Sequence, residues 1–158
     1  MERGLEYDGI LRRLTALCAK SEHCQGELLR KMRQWDVDEE TQARVMKYLV
    51  ERRFVDDERY ARAFVRDKVA YNHWGRLKVY QALRAKGVSE ETCRQALAEV
   101  PDEEYQDQLR PLMQAKLRSL REEEPYQRRA KLLRYALSRG FTMQQAIDCL
   151  DSLGQNQQ

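Results

Sequence analysis

The chain has 158 residues, with 29 lysines and arginines, 26 aspartates and glutamates, and a net charge of +3 at pH 7. That length suffices for one ordinary domain or a short array of repeats. No apolar run approaches the roughly 20 residues that a membrane-spanning helix needs, and the N-terminal residues lack the apolar core of a signal peptide. We therefore expect a soluble, cytoplasmic protein.

The first third of the chain has the hydrophobic periodicity of three helices. They are predicted over about residues 5–19, over about residues 22–34, and from the capping residue Asp38 through Leu49. Strand signals, such as Asn-Gly turns between alternating residues, are absent from the sequence. The predicted fold class is therefore all-α.

A fourth helix is predicted to begin at Asp56, because a short carboxylate can accept the free N–H groups of a first turn. Its periodicity separates an apolar side from a basic side. The residues expected to face the core are Tyr60, Ala61, Phe64, Val65 and Tyr71. The basic residues on the opposite side are Arg59, Arg62 and Arg66.

Five more helices are predicted after residue 72. The first runs from Gly75 to Lys86 and is followed by Gly87, which is suited to a left-handed C-cap; the next is capped by Ser89. A long helix is predicted from Pro101 to about Leu120, since proline is tolerated in a first turn. The last two helices are predicted to begin at residues 125 and 142, the latter with a capping box.

The helix that begins at Pro125 is also predicted to have two distinct sides. Leu133, Ala136 and Leu137 are expected on the buried side. The basic residues expected on the exposed side are Arg128, Lys131 and Arg134.

The helix joints show an internal repeat. Residues 32–41 align with residues 83–92 and, more loosely, with residues 136–142, at offsets of 51 and 53 residues. The alignment predicts three tandem three-helix, helix-turn-helix-like repeats at about 5–53, 54–100 and 101–153, followed by a flexible tail at 154–158. Repeats that contact only their neighbours would form an elongated, curved body.

The sequence contains no recognisable catalytic or metal-binding motif. Phosphate-binding glycine loops are absent, and neither His23 nor His73 lies in a nucleophile motif. The four cysteines, at positions 18, 24, 93 and 149, lack the spacing of a zinc site and are expected to be free thiols. We therefore expect no enzymatic activity, no cofactor and no metal.

Basic residues are concentrated in two segments. Residues 59–86 contain eight basic residues against Asp67 alone, and residues 125–147 contain five basic residues and no acid. Such surfaces suit phosphate backbones, and they equally suit an acidic protein partner. Ordinary solvated side chains are the simpler alternative. The candidate partner-binding or DNA-binding residues are Arg59, Arg62, Arg66, Lys68, Arg76, Lys78, Arg84, Lys86, Arg128, Lys131 and Arg134.

Aromatic residues lie near these segments. Trp35, Trp74 and the tyrosines could serve as platforms on which nucleic-acid bases stack. Packing within the fold is the more ordinary use of such side chains.

The stretch Phe54-Val55-Asp56-Asp57-Glu58-Arg59-Tyr60-Ala61-Arg62-Ala63-Phe64-Val65 resembles the central signature of the RecX family, bacterial regulators of the RecA recombinase. Residues 74–88 and 128–141 resemble two further segments of that family. The resemblance covers roughly residues 10–152 and implies tandem three-helix repeats. It also implies a molecule that lies in a groove of the RecA–single-stranded-DNA filament and restrains ATP hydrolysis, strand exchange and filament growth.

Two other functions are compatible with the sequence. A helix-turn-helix-like module could bind single- or double-stranded DNA through its basic helices, but no predicted helix begins with the Asn, Gln and Arg cluster expected for base readout. An uncharged adaptor repeat has the least support. We favour the filament regulator, which we expect to be a monomer.

Overall fold

The computed structural model describes residues 6–154, which form nine α-helices and no strand. The all-α prediction is confirmed for this part of the chain. The helices are α1 Tyr7–Lys20, α2 Gln25–Gln34, α3 Glu39–Glu51, α4 Asp57–Ala70, α5 Arg76–Ala85, α6 Glu90–Ala98, α7 Asp102–Ser119, α8 Pro125–Ser138 and α9 Met143–Ser152.

Short polar side chains fix where several helices begin. The Asp38 carboxylate accepts the Thr41 N–H at 3.0 Å, and Asp56 accepts the Arg59 N–H at 3.1 Å. Thr142 forms the predicted capping box with Gln145. The Thr142 hydroxyl accepts the Gln145 N–H, and the Gln145 side-chain oxygen accepts the Thr142 N–H. The caps predicted at these positions are confirmed.

The α2–α3, α5–α6 and α8–α9 joints share one backbone geometry. A left-handed residue ends the first helix of each joint, and the next N–H donates to the carbonyl five residues earlier. The left-handed residues are Asp36 with φ 58°, Gly87 with φ 92° and Gly140 with φ 98°. The donating and accepting residues are Val37 and Met32 at 3.0 Å, Val88 and Leu83 at 3.2 Å, and Phe141 and Ala136 at 3.1 Å. The left-handed cap expected at Gly87 is confirmed, whereas the proposed bounds of the three repeats stay a prediction.

The described residues form two compact units. The first unit comprises residues 6–62 and 83–93. Within it α1 and α2 both pack on α3, so that their apolar sides share one core. The buried residues of this core are Ile10, Leu14, Leu28, Met32, Val45, Met46, Leu49 and Val55.

The second unit comprises residues 63–82 and 94–154. Helices α7, α8 and α9 pack against one another within it. Its fully buried side chains include Tyr105, Leu109, Met113, Leu132, Phe141 and Leu150. The Tyr105 hydroxyl donates to the Leu97 carbonyl, which satisfies its polar end, and burial raises the pKa of Tyr105 to about 12.

Two of the residues expected in the core are exposed. Tyr71 is 79% exposed because α4 ends at Ala70, so the helical periodicity no longer applies to it, and Val69 is the last buried residue of α4. Leu137 is 39% exposed, since the buried side of α8 centres on Leu132 and Ala136.

Candidate partner-binding surface

The three arginines of α4 differ in their surroundings. Arg59 is half-buried, its Nε donates to Glu22 Oε2 at 2.7 Å, and its Nη2 donates to the carbonyls of Arg53 and Phe54. These contacts link the segments before α2 and α4 within the first unit, so Arg59 has a structural role. Arg62 is half-buried and Arg66 is exposed. The expected row of three outward guanidinium groups is therefore reduced to two.

Lys86 lies in a polar cluster of the first unit. Its Nζ donates to Glu27 Oε2 at 3.1 Å, and the Tyr60 hydroxyl approaches the same oxygen at 3.4 Å. The other Glu27 oxygen accepts the Cys24 N–H and lies 3.2 Å from His23 Nδ1. Burial alone would raise the pKa of Glu27, but these partners lower it below its ordinary value. The cluster balances the charge of Lys86 internally.

Two further candidates contact groups within their own units. Arg84 Nη1 donates to the Val88 carbonyl at 2.8 Å in the first unit. Arg76 forms an ion pair with Asp102 in the second unit, and its guanidinium lies 4.1 Å from the centre of the Tyr105 ring. Both arginines therefore support the helix ends beside them.

Lys68 and Lys78 lie beside Trp74 in the second unit. Their Nζ atoms are 5.1 Å and 4.8 Å from the centre of a Trp74 ring, and the Lys68 Nζ is also 5.3 Å from the Phe64 ring. These are cation–π distances. No carboxylate among the described residues forms an ion pair with either lysine. Their positive charges are held by aromatic contacts and are not neutralised.

The basic residues of α8 also divide into paired and exposed groups. Arg128 donates to the Glu123 carbonyl at 3.2 Å, and Lys131 Nζ lies 3.0 Å from Glu123 Oε1. Arg134 is exposed. Arg128 and Lys131 therefore both bond to Glu123, which lies just before α8.

One basic residue beside Trp74 was not among the candidates. Arg139 precedes the left-handed Gly140, as Lys86 precedes Gly87, and its Nη2 donates to the Asn72 carbonyl. Its Nε is buried without a hydrogen-bond acceptor among the described residues. The alignment of the joints could have identified Arg139, because it aligns this residue with Lys86 at the offset of 53 residues.

Two clefts where helix N-termini converge are acidic. In the first unit a cleft of about 580 Å³ is lined by Glu51, Asp56, Asp57 and Glu58. Burial raises the pKa of Asp57, which accepts the Gln25 N–H at 2.9 Å. A cleft of about 610 Å³ in the second unit is lined by Asp102, Glu103, Asp107 and Asp148. Such clefts repel phosphate, although helix N-termini otherwise attract anions.

The described residues contain no group of three or more side chains that could hold a metal ion. The four cysteines are free thiols, as expected. Among the described helices, none is long and apolar enough to cross a membrane.

Comparisons with known proteins identify relatives of this chain. A model of the second three-helix domain of RecX matches residues 56–97, and a model of the third three-helix domain of RecX matches residues 102–150. Regulatory protein RecX of Mycobacterium sp. (strain KMS) is 31% identical over 128 residues, which cover 78% of this chain and 70% of that protein. Regulatory protein RecX of Clostridium perfringens (strain 13) is 30% identical over 136 residues, which cover 85% of this chain and 61% of that protein.

A solved structure has the same fold. The crystal structure of RecX from Lactobacillus salivarius aligns with a TM-score of 0.87 over 94% of this chain and 96% of that chain, at 16% sequence identity. The chain spans about half of Regulatory protein RecX of Clostridium botulinum (strain Eklund 17B), of which the matched part covers 49%.

Proposed function

Because this chain belongs to the RecX family of regulatory proteins, we propose that it binds the filament formed by the RecA recombinase on single-stranded DNA. Bound there, it restrains ATP hydrolysis, strand exchange and filament growth. It acts as a cytoplasmic monomer and has no enzymatic activity of its own. Its three helical repeats follow the groove of the filament.

The observation that carries this proposal is the match to the second RecX domain over residues 56–97. That segment includes α4, on which Arg62 and Arg66 lie about one turn apart, beside the side that buries Ala61, Val65 and Val69. The core residues hold α4 in place, so the exposed Arg66 and the half-buried Arg62 next to it present positive charge to an acidic or phosphate-bearing partner.

Sequence-specific binding to duplex DNA has less support. A reading helix inserts its N-terminal residues into the major groove. The first turns of α3 and α6 instead carry Glu39 with Glu40 and Glu90 with Glu91. These carboxylates would repel the phosphates on both sides of the groove.

The proposal is tested by fluorescence anisotropy of the labelled protein at low and physiological salt. The titrants are preformed RecA–ATP–single-stranded-DNA filaments, single-stranded DNA alone and RecA alone. We expect the tightest binding to filaments, and inhibition of the filament's ATP hydrolysis in a parallel assay. Affinity for bare DNA equal to that for filaments, or undiminished ATP hydrolysis at saturation, would contradict the proposal.

The role of α4 is tested with the double variant Arg62→Glu and Arg66→Glu. We expect it to weaken filament binding by about tenfold or more, because charge reversal turns attraction into repulsion. The matched control is Arg30→Glu with Arg33→Glu, which changes the charge equally at two exposed positions of α2. Equal affinities of the two double variants would exclude α4 from the interface.

A further inference from the structure

Three side chains around the start of α2 form a chain of hydrogen bonds within the first unit. Ser21 Oγ lies 3.2 Å from His23 Nε2, and His23 Nδ1 lies 3.2 Å from Glu27 Oε1. We call these three residues the Ser21 relay. Its order is hydroxyl, imidazole and carboxylate. In that order an imidazole removes the proton of a nucleophilic hydroxyl while the carboxylate orients the imidazole.

The Glu27 carboxylate is held through both of its oxygens. Its Oε1 also accepts the Cys24 N–H at 3.2 Å, while its Oε2 accepts from Lys86 Nζ at 3.1 Å and lies 3.4 Å from the Tyr60 hydroxyl. Burial raises the pKa of Glu27, but the hydrogen bond from Lys86 and the other partners lower it below its ordinary value. The carboxylate is therefore ionised at neutral pH and can only accept hydrogen bonds.

An ionised Glu27 determines which nitrogen of His23 carries the proton. Because the carboxylate can only accept, the proton of the neutral His23 ring lies on Nδ1, which donates to Glu27 Oε1. The Nε2 atom then has a free lone pair, and the Ser21 hydroxyl donates to it. Only 18% of the His23 side chain is exposed, so the surrounding fold restricts the ring. The relay thus presents the basic nitrogen of His23 to the serine hydroxyl.

The ends of the two helices do not need the Ser21 hydroxyl. The end of α1 uses the Ser21 N–H, which donates to the Leu17 carbonyl at 3.3 Å, and the start of α2 is capped by Cys24 and Glu27. Ser21 is exposed, so water would satisfy its hydroxyl equally well. Exposure also makes the oxygen accessible to a reagent in solution. An accessible hydroxyl bonded to an oriented base is an activated nucleophile.

We propose that Ser21 is an acyl acceptor, which reacts with an acyl group joined to a good leaving group such as a phenolate, a thiolate or a phosphate. Ser21 Oγ forms a bond to the carbonyl carbon, and the bond from that carbon to the leaving group breaks. The hydroxyl proton moves to His23 Nε2 and from there to the leaving group. The product is an ester at Ser21. Ser21 and His23 are the catalytic residues, whereas Glu27 is a positioning residue.

The reaction transfers one acyl group to each molecule. In the first turn of α2 the Gln25 N–H donates to Asp57 Oδ1 at 2.9 Å, and the Glu27 N–H donates to the Cys24 carbonyl at 3.1 Å. These donors are therefore not free to stabilise the oxyanion through which the ester would be hydrolysed. We expect slow release rather than turnover, which agrees with the absence of enzymatic activity proposed above. The inference does not rest on the proposed function, because its test contains no recombinase.

The test is the reaction of the full chain with p-nitrophenyl acetate, followed by mass spectrometry of its tryptic peptides. Every protein in the series carries Cys18→Ser, because the partly exposed Cys18 thiol is a second nucleophile. Trypsin releases residues 21–30 as one peptide, in which Ser21 is the only side chain with a hydroxyl. We expect acetylation of Ser21 to be about tenfold or more faster than that of Ser138, an exposed serine whose hydroxyl donates to a backbone carbonyl.

Two substitutions test the catalytic residues. Ser21→Ala should remove the acetyl group from the peptide 21–30. His23→Gln should slow the acetylation of Ser21 by about tenfold or more, because a glutamine amide cannot take up the proton. Its N–H can still donate to Glu27, so the variant should fold, which circular dichroism verifies. Ser138→Ala is the matched control and should leave the rate at Ser21 unchanged.

The positioning role of Glu27 has a spectroscopic signature. The chain has two histidines, so their nitrogen NMR signals are assigned with His23→Gln. In the unmodified protein the His23 proton should lie on Nδ1. Glu27→Ala removes the acceptor, so the proton should shift towards Nε2 and the acetylation of Ser21 should slow by about tenfold or more. Slower acetylation without a shift of the proton would contradict the positioning role, because a structural defect alone would give that result.

Three results would overturn the inference. They are a peptide 21–30 that carries no acetyl group, an unchanged rate at Ser21 in His23→Gln, and equal rates at Ser21 and Ser138. Such results would leave the filament proposal standing, since that proposal is measured with RecA filaments and the α4 variants.

Discussion

The Glu27 carboxylate accepts a hydrogen bond from the Lys86 ammonium at 3.1 Å, although 59 positions separate the two residues in the sequence. The Cys24 thiol donates to the Lys86 carbonyl at 3.4 Å, and Gly26 lies against the same carbonyl. The beginning of α2 is thus seated on the α5–α6 joint of the first unit. Residues far apart in the sequence fix this contact.

Removing the Lys86 ammonium should destabilise the fold in a pH-dependent way. Lys86→Met should lower the free energy of unfolding by about 1 kcal/mol at neutral pH, since the pair is partly exposed and screened. Burial would raise the pKa of Glu27, but the hydrogen bond and charge of Lys86 lower it below 4.5. A carboxyl with a lowered pKa stabilises the fold above its unfolded pKa and loses that contribution as the pH falls through the folded pKa.

Urea denaturation between neutral pH and about pH 3 measures this contribution. The difference between the unmodified protein and Lys86→Met should stay constant near neutral pH and shrink below about pH 4. Lys86→Arg, which keeps the charge, is the control. A difference that persists unchanged at the lowest pH would show that the ion pair does not cause the loss.

A methyl group added at Gly75 should be costly for purely steric reasons. The Cβ of Gly75→Ala would clash with the Gly140 carbonyl oxygen, which is a backbone atom and cannot move aside as the end of a side chain can. We expect a loss of about 2–3 kcal/mol in unfolding free energy, the usual cost of overpacking. Thermal or urea unfolding measures it.

Gly154→Ala provides the contrast. Gly154 has φ 79° but no atom within 4 Å of an added Cβ, so only the left-handed backbone is strained. The expected loss is about 1 kcal/mol. If the two variants lose equal stability, the close approach of Gly75 to Gly140 does not constrain the fold.

These contacts show what the sequence could and could not predict. The caps at Asp38, Asp56 and Thr142 were predictable because capping involves residues three positions apart. The partner of Lys86 was not predictable, since Glu27 approaches it only after the chain has folded. The same reason applies to the segment 59–86, whose sequence has eight basic residues and one acid. Arg59, Arg76 and Lys86 pair with acids from other segments, and the sequence could not show this.

Arg59 and Arg66 should respond differently to the same substitution. Arg59→Ala removes the bond to Glu22 and two bonds to backbone carbonyls, whereas Arg66 is exposed. We expect a loss of stability below about 1 kcal/mol for Arg59→Ala, because its ion pair is more than a third exposed, and no measurable loss for Arg66→Ala. Chemical denaturation of both variants, with Glu22→Gln as a third, measures the difference. Equal stabilities for Arg59→Ala and Arg66→Ala would contradict a structural role of Arg59.

The four thiols should react at different rates. Cys24 and Cys93 are fully buried and Cys149 is 2% exposed, whereas Cys18 is partly exposed. Burial raises the pKa of all four thiols, so none is an activated thiolate. An aromatic disulfide reagent should therefore modify Cys18 first and the other three only as the fold opens. Cys18→Ser should remove the fast phase, and a fast phase that survives this change would contradict the burial of the remaining three.

The three joints with a common backbone geometry should also have caps of similar strength. The Asp38, Ser89 and Thr142 side chains accept N–H groups from residues three positions later at 3.0, 3.2 and 3.0 Å. Alanine at any one of these positions should lower the midpoint of urea denaturation, because it removes the N-cap hydrogen bond. Ser119→Ala is the control, since its hydroxyl bonds to a carbonyl at the exposed end of α7 and caps no helix start. Each alanine variant is compared with this control by urea denaturation. A loss of stability at only one joint would show that the three caps do not contribute equally, although their backbone geometry is the same.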